Sequence, residues 1–345
     1  MRVGVVGCGY WGSKHIRVLN SIDEVTGVAI IDAARAPRAN LARVFPNATS
    51  FGSLDDSLDS VDAVIVATPP RSHRSIGLAA LQAGKHVLVE KPLAASSADA
   101  EELVEAAEAL GLVLMVGHTF EHNAAVWRLR DAVRSGELGR IHYIDSARLN
   151  LGLYQQDVNV MWDLAPHDIS IVNFVLDAEP DAVTAWASAY AHESLEDVAT
   201  IRLDYSALRV TASVRLSWLD PCKVRQTTVV GSSKMAVYDD LNDNERLRLY
   251  DRGVNPPLAD LAHDMPVSYR YGDVVSPFVD FKEPLLVEDQ HFVDSIRSGK
   301  AERGTGRSGL AVVRALEAAQ ASLSTGATVK VGAPRGAALA SVSSR

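Results

Sequence analysis

Three glycines within the first twelve residues constrain this chain more than anything after them. Residues 2–6 form a short apolar run that predicts a buried strand. Gly7, Gly9 and Gly12 follow at the spacing G-x-G-x-x-G, and residues 13–19 have helical character. Gly7 permits a tight turn, Gly9 has no Cβ to keep an anion from the backbone, and Gly12 lets the helix lie close to the strand. The helix start adds unpaired N–H groups and a partial positive charge. Strand, glycine turn and helix in this order predict a site for a dinucleotide pyrophosphate. Tyr10 and Trp11 sit between the glycines at the mouth of that site, where they either touch the ligand or pack the helix start.

The next hundred residues alternate strand and helix patterns, which predicts a parallel sheet covered on both faces. Residues 25–31 are a second apolar strand, and Asp32 follows it, twenty residues past Gly12. An acidic group there hydrogen-bonds ribose hydroxyls and repels a 2′-phosphate, favouring NAD. Arg35 and Arg38 keep NADP possible. Residues 61–67 run into Thr68-Pro69-Pro70 and then His73, a loop expected to border the cofactor. Residues 86–89 lead to Glu90-Lys91-Pro92, and 112–116 lead to Gly117-His118, whose imidazole is expected to line the same crevice. At a strand's carboxyl end, Lys91 either points its ammonium at a substrate oxygen or caps a loop.

From about residue 120 the pattern changes. An amphipathic helix at 123–135 is followed by strands with period two. Val210, Ala212, Val214, Leu216 and Trp218 alternate with Arg209, Thr211, Ser213, Arg215 and Ser217. That alternation predicts a largely antiparallel sheet with helices on one face and solvent or another subunit on the other. Residues 242–284 contain five prolines and scattered charge, and are expected to be loop-rich. Helices are expected at 286–298 and 308–324. Within this half, Asp163 and His167 lie four apart near a predicted helix start that includes Pro166. They are either an N-cap and a core histidine, or a carboxylate orienting an imidazole for proton transfer.

The remaining composition narrows the class. A chain of 345 residues predicts about two domains. A formal net charge of −9 argues against nucleic acid as a partner. Two cysteines exclude a disulfide framework. No stretch is long and apolar enough for a membrane span, and no export signal is visible, so the expected location is the cytoplasm. His118 and His122 have H-x-x-x-H spacing around Glu121, but His118 sits at a strand end and no third ligand is indicated, so no metal is expected.

Taken together, GCGYWG at 7–12, ATPPRSH at 67–73, EKP at 90–92, DLAPH at 163–167 and the helical stretches at 283–300 and 308–322 resemble the glucose–fructose oxidoreductase, inositol dehydrogenase and rhizopine catabolism (Gfo/Idh/MocA) family. The resemblance implies an α/β chain: a dinucleotide-binding Rossmann domain with a doubly wound parallel sheet at 1–119, then an α/β substrate and oligomerisation domain with a large, mostly antiparallel open sheet at 120–331. A flexible tail at 332–345 is expected to follow. It implies NAD or NADP as cofactor, a small-molecule sugar substrate, and a homodimer or homotetramer. By similarity, Lys91 and His167 contact the reacting oxygen and one of them exchanges its proton, while Asp163 orients and charge-balances them. Glu90 counts among the cofactor-binding positions with Gly7, Gly9, Tyr10, Trp11, Gly12, Asp32, Thr68, Pro69, His73, Lys91 and His118. GYWG with WDLAPHD looks most like the branch that oxidises or reduces the 3-position of a nucleotide sugar. Alternatives are a cyclitol or free-sugar dehydrogenase, and a non-catalytic NAD(P)-sensing protein on the same scaffold. The chain departs from an Arg-x-Asn-Pro-like family stretch at Glu121-His122-Asn123-Ala124.

Overall fold

A computed structural model describes residues 1–152, 154–155, 158–191, 193–255 and 268–332. The chain divides into two compact units, residues 1–123 with 282–314, and residues 124–281 with 315–345. The expected boundary at 119/120 therefore lies slightly later, and a C-terminal segment expected in the second domain belongs to the first. Apart from Gly332, the expected tail at 332–345 lies outside the described residues.

The first unit is built on six parallel strands in the order β3-β2-β1-β4-β5-β6. These are β1 (Arg2–Val6), β2 (Gly27–Ile31), β3 (Thr49–Phe51), β4 (Ala63–Val66), β5 (His86–Val89) and β6 (Leu114–Val116). Helices α1 (Tyr10–Leu19), α2 (Arg35–Val44), α3 (His73–Gln82) and α4 (Ser97–Leu110) connect them. Val3, Val5, Val64, Ile65, Val87 and Leu88 are fully buried, which is why these strands read as unbroken apolar runs. The strand order reverses between β1 and β4, so their carboxyl ends flank the position where such sheets bind ligands.

Helix α7 (Pro284–Ser298) belongs here because its apolar face needs a partner. Leu285, Phe292 and Val293 join Ile16, Val18 and Leu19 of α1 in one buried cluster. Burying a large apolar side chain is worth about 1.5–3 kcal/mol each, enough to hold a helix far away in sequence.

The second unit carries a nine-stranded sheet in the order β14-β13-β12-β11-β7-β10-β9-β8-β15. Its strands are β7 (Ile141–Leu151), β8 (Ala182–Ser188), β9 (Val198–Tyr205), β10 (Val210–Ser217), β11 (Leu219–Gly231), β12 (Met235–Asp239), β13 (Leu247–Asn255), β14 (Ser268–Val275) and β15 (Val329–Lys330). Among the described residues, only the β10–β7 pairing of this sheet is parallel. Helices α5 (Ala124–Arg134) and α6 (Val160–Leu176) pack together on the sheet, and the end of α8 (Gly306–Thr325) lies in this unit. Val210, Ala212, Val214 and Leu216 of β10 are buried as their alternation predicts. The stretch at 242–284 is not simply loop: it supplies β13 and β14. Leu247 and Leu249 of β13 are buried in alternation, while Pro256, Pro257 and Pro266 lie outside the described residues. No described helix is long and apolar enough to cross a membrane.

Candidate active site

The glycine turn has the geometry its spacing predicts. Gly7 has φ +100°, a left-handed conformation that favours glycine. A Cβ on Gly12 would lie 1.7 Å from the Gly7 carbonyl oxygen, so only glycine lets α1 start this close to β1. Around Gly9, nothing stands within 4 Å of where a Cβ would be. Gly9 is also the N-cap of α1, and no side chain caps the first-turn N–H groups. An uncapped helix start facing open space at a glycine cradle fits a dinucleotide pyrophosphate. The helix begins three residues earlier than its pattern suggests. Tyr10 and Trp11 therefore form its first turn, largely exposed and packed edge to face at 5.4 Å.

Asp32 is tied into this loop. Its Oδ2 accepts the Cys8 N–H at 2.7 Å and its Oδ1 accepts the Ala34 N–H at 2.7 Å. Arg38 donates to the Asp32 backbone carbonyl. The acidic group is thus fixed beside the glycine turn. Burial and the neighbouring Asp32 push the Cys8 thiol up to about 12, so it remains a small neutral side chain.

The β4 and β5 ends are joined from inside. Ser72 Oγ donates to Thr68 Oγ1 at 2.8 Å, next to Pro69. His73, expected at the cofactor, is fully buried instead. Its ring nitrogens lie 2.7 Å from the Thr68 carbonyl and 2.9 Å from the Pro92 carbonyl. It holds the two loops together and offers no free ring nitrogen to a ligand. Burial moves its pKa below the ordinary value despite those carbonyls.

Glu90, also expected at the cofactor, faces inward. Its Oε1 accepts from His15 Nε2 at 3.2 Å and its Oε2 accepts the Lys91 backbone N–H at 3.0 Å. The other ring nitrogen of His15, Nδ1, donates to Asp289 Oδ1 at 2.8 Å. Burial opposes the charged ring, but Asp289 and Glu90 together hold His15 protonated well above its ordinary value. Burial likewise opposes ionisation of Glu90, and His15 and Lys91 outweigh it, leaving its pKa lowered. Lys91 follows directly, half-buried at the carboxyl end of β5.

His118 sits at the end of β6 with no exposed surface, and its Nδ1 lies 3.1 Å from Glu121 Oε1. The second oxygen of Glu121 accepts the Gly304 N–H at 2.9 Å. Thr119 donates to Glu288 Oε2 at 3.1 Å, and Glu288 Oε1 lies 3.9 Å from His122 Nε2. Glu121, His122 and Asn123 are all buried, so the stretch that departs from the family pattern is internal. Among the described residues no group of three or more His, Cys, Asp or Glu could hold a metal ion.

In the second unit, α6 begins at Val160, earlier than Pro166 implies, because the Asn159 side chain caps it by accepting the Trp162 N–H at 3.1 Å. Asp163 and His167 are therefore one turn apart inside the helix and share a face. Asp163 Oδ2 accepts the indole N–H of buried Trp218 at 3.2 Å. The next residue, Asp168, accepts from Arg148 Nε at 2.6 Å and from Ser146 Oγ at 2.7 Å, both on β7. This buried bond set fixes the rotation of α6 and hence the direction of its neighbour His167.

Residues 1–118 match the model of an oxidoreductase family with an NAD-binding Rossmann fold, GFO_IDH_MocA, and residues 126–237 match the C-terminal domain model of the same family. The chain belongs to the GFO/IDH/MocA oxidoreductase family. Members similar to it include the UDP-N-acetylglucosamine 3-dehydrogenase of Acidithiobacillus ferrooxidans, 29% identical over 302 residues, covering 86% of this chain and 92% of that protein. The inositol 2-dehydrogenase of Acidiphilium cryptum is 32% identical over 228 residues, 62% of this chain and 67% of that protein. Among solved structures, GenD2 from gentamicin A biosynthesis in complex with NAD is 26% identical with a TM-score of 0.81, covering 96% of this chain and 97% of that one. This GFO/IDH/MocA chain is thus an NAD-binding oxidoreductase related to dehydrogenases of sugars and cyclitols.

Three contributors escape sequence reading: His15, Asp289 and Trp218. A signal for two of them exists. His15 lies on the apolar face of α1 with Ile16 and Leu19, and Asp289 lies on that of α7 with Leu285 and Phe292. A titratable residue on a buried face needs a partner.

Proposed function

We propose that this protein transfers a hydride between NAD and the 3-position of a nucleotide sugar, as a 3-dehydrogenase or 3-ketoreductase. The observation that carries this reading is the likeness, over 86% of the chain, to an enzyme named for that reaction on UDP-N-acetylglucosamine. The pyrophosphate is assigned to the turn at Gly7, Gly9 and Gly12 and the start of α1, with Asp32 for the adenosine ribose and Thr68 and Pro69 beside it. When bound, the nicotinamide supplies or accepts the hydride.

The chain's own residues supply position and a proton path. In this reading Lys91 and His167 contact the reacting oxygen, and one of them takes or returns its proton. Asp163 orients and charge-balances them, and its bond from Trp218 limits its rotation. Tyr10 and Trp11 border the site. Acid–base assistance of this kind is worth about a hundredfold or more in rate. A homodimer or homotetramer formed through the open sheet fits the exposed Tyr269, Tyr271, Val274 and Val275 on β14.

The test is a panel of UDP-N-acetylglucosamine, UDP-N-acetylglucosaminuronate, myo-inositol and free glucose, with NADH formation followed spectroscopically. The nucleotide sugars are expected to be oxidised fastest. Lys91→Ala and His167→Ala are each expected to lose at least about a hundredfold in turnover while still binding NAD. Preference for myo-inositol would move the reading to a cyclitol. Tight NADH binding without any turnover would move it to a sensor.

A further inference from the structure

One buried imidazole in the first unit joins three elements. His15 on α1 has no exposed surface, nor has Asp289 on α7, and Glu90 at the end of β5 is nearly as deep. Three elements far apart in sequence meet through one imidazole. Its Nδ1 faces both Asp289 oxygens, at 2.8 and 3.1 Å, and its Nε2 faces Glu90 at 3.2 Å. Glu90 in turn takes the backbone N–H of Lys91 with its other oxygen at 3.0 Å. The series runs Asp289, His15, Glu90, Lys91 with no exposed link before its end.

We propose that His15, gripped by Asp289, is a positioning residue for Lys91 and acts through the carboxylate of Glu90. The proposal rests on the reading of Lys91 as a group that meets the reacting oxygen.

The physical reason lies in hydrogen-bond bookkeeping. A carboxylate only accepts, so an imidazole between two carboxylates must donate from both nitrogens, which only the imidazolium does. The doubly donating ring has one orientation, and it fixes the plane of Glu90. A fixed Glu90 leaves one direction for the Lys91 N–H, hence for the Lys91 backbone. Charge-assisted bonds in a buried setting are short and strong enough to hold that geometry. The groups facing the ring are Glu90, Asp289 and the neighbouring Glu288. Burial and then the charge of Glu90 push Glu288 well above the usual carboxyl range, so it stays neutral with its Oε2 on Thr119. Burial raises Asp289 as well, and the charge and hydrogen bond of the facing His15 ring oppose that rise.

The experiment uses the full chain saturated with NAD. In ¹⁵N-histidine spectra at pH 7.5, a signal absent from His15→Gln is expected to carry the imidazolium pattern, and Asp289→Asn is expected to remove that pattern. Hydrogen exchange of the Lys91 amide is expected to accelerate at least tenfold in both variants, with the amides of Val3 to Val6 unchanged. With the sugar the wild type oxidises fastest, Asp289→Asn is expected to lower kcat at least tenfold with KM for NAD within twofold. A neutral His15 in the wild type, or unchanged Lys91 exchange in Asp289→Asn, overturns the proposal. So does a loss expressed only in KM or in folding. If Lys91→Ala turns over normally while the exchange effect stands, the reading of Lys91 fails instead. Asp289→Asn keeps the shape of the side chain, so the test survives a His15→Gln protein that does not fold.

Discussion

At the scale of single residues, the proposed cofactor site turns on Asp32. Its carboxylate already accepts two backbone N–H groups, from Cys8 and Ala34, so it cannot swing away from an incoming 2′-phosphate. Arg38 is engaged with the Asp32 carbonyl. Asp32→Ser removes the repelling charge and frees the region for a phosphate. The ratio of NADP to NAD affinity is expected to rise at least about tenfold, equivalent to about 1.4 kcal/mol, as measured by fluorescence titration of the reduced cofactors. An unchanged ratio would remove Asp32 from cofactor choice. Asp32 and the three glycines stand where their spacing places them, whereas His73 and Glu90 turn inward to backbone and to His15. Sequence position marks a strand end but not which way its side chains point.

At the scale of elements, α6 carries the proposed proton-handling pair and is registered on β7 by one buried ion pair. Arg148 and Asp168 are both nearly inaccessible and 2.6 Å apart. Removing one partner of such a pair costs about 3–5 kcal/mol, because the other charge stays buried. Asp168→Ala is therefore expected to lower the unfolding midpoint sharply in denaturant titration. Arg148→Met with Asp168→Leu is expected to recover most of that loss. If the single variant unfolds like the wild type, the ion pair does not register the helix. The start of α6 was only partly legible in the sequence. Pro166 drew attention to the wrong turn, since proline fits a first turn, and the cap is Asn159. Likewise β13 and β14 were hidden among prolines that flank them.

At the scale of the whole molecule, buried titratable groups give stability two opposing pH limbs. Burial, followed by the charge of Arg303, depresses His122 well below its ordinary 6.5. Its unfolded form takes up a proton below that value and its folded form does not, so stability falls as pH drops through about 6.5. Glu288 acts oppositely: its folded form keeps a proton that the unfolded form releases above the ordinary 4.5. Its contribution therefore declines as pH rises from there. His15, raised by Asp289 and Glu90 against burial, adds a loss on the alkaline side above 6.5. Relative to Glu288→Gln, the wild-type Tm is expected to fall between pH 5 and pH 9. Relative to His122→Asn, it is expected to fall between pH 7 and pH 5. Parallel Tm curves in either comparison would show that the group does not change protonation on unfolding.

The order of residues along the chain suffices for the parallel sheet, the glycine turn beside Asp32, the alternating strands of the second sheet, and the likeness to an NAD-binding oxidoreductase family. The sheets and the turn follow from a period or spacing that a few neighbouring residues express, and the family from the resemblance carried by GCGYWG, EKP and DLAPH. Three-dimensional packing alone returns α7 to the first unit and brings His15 to Asp289, 274 residues away. It alone put Trp218 on Asp163 as well. The reason is that a buried polar residue is specified by its partner, and the partner's place is set by packing of apolar faces that carry no label of what they will meet.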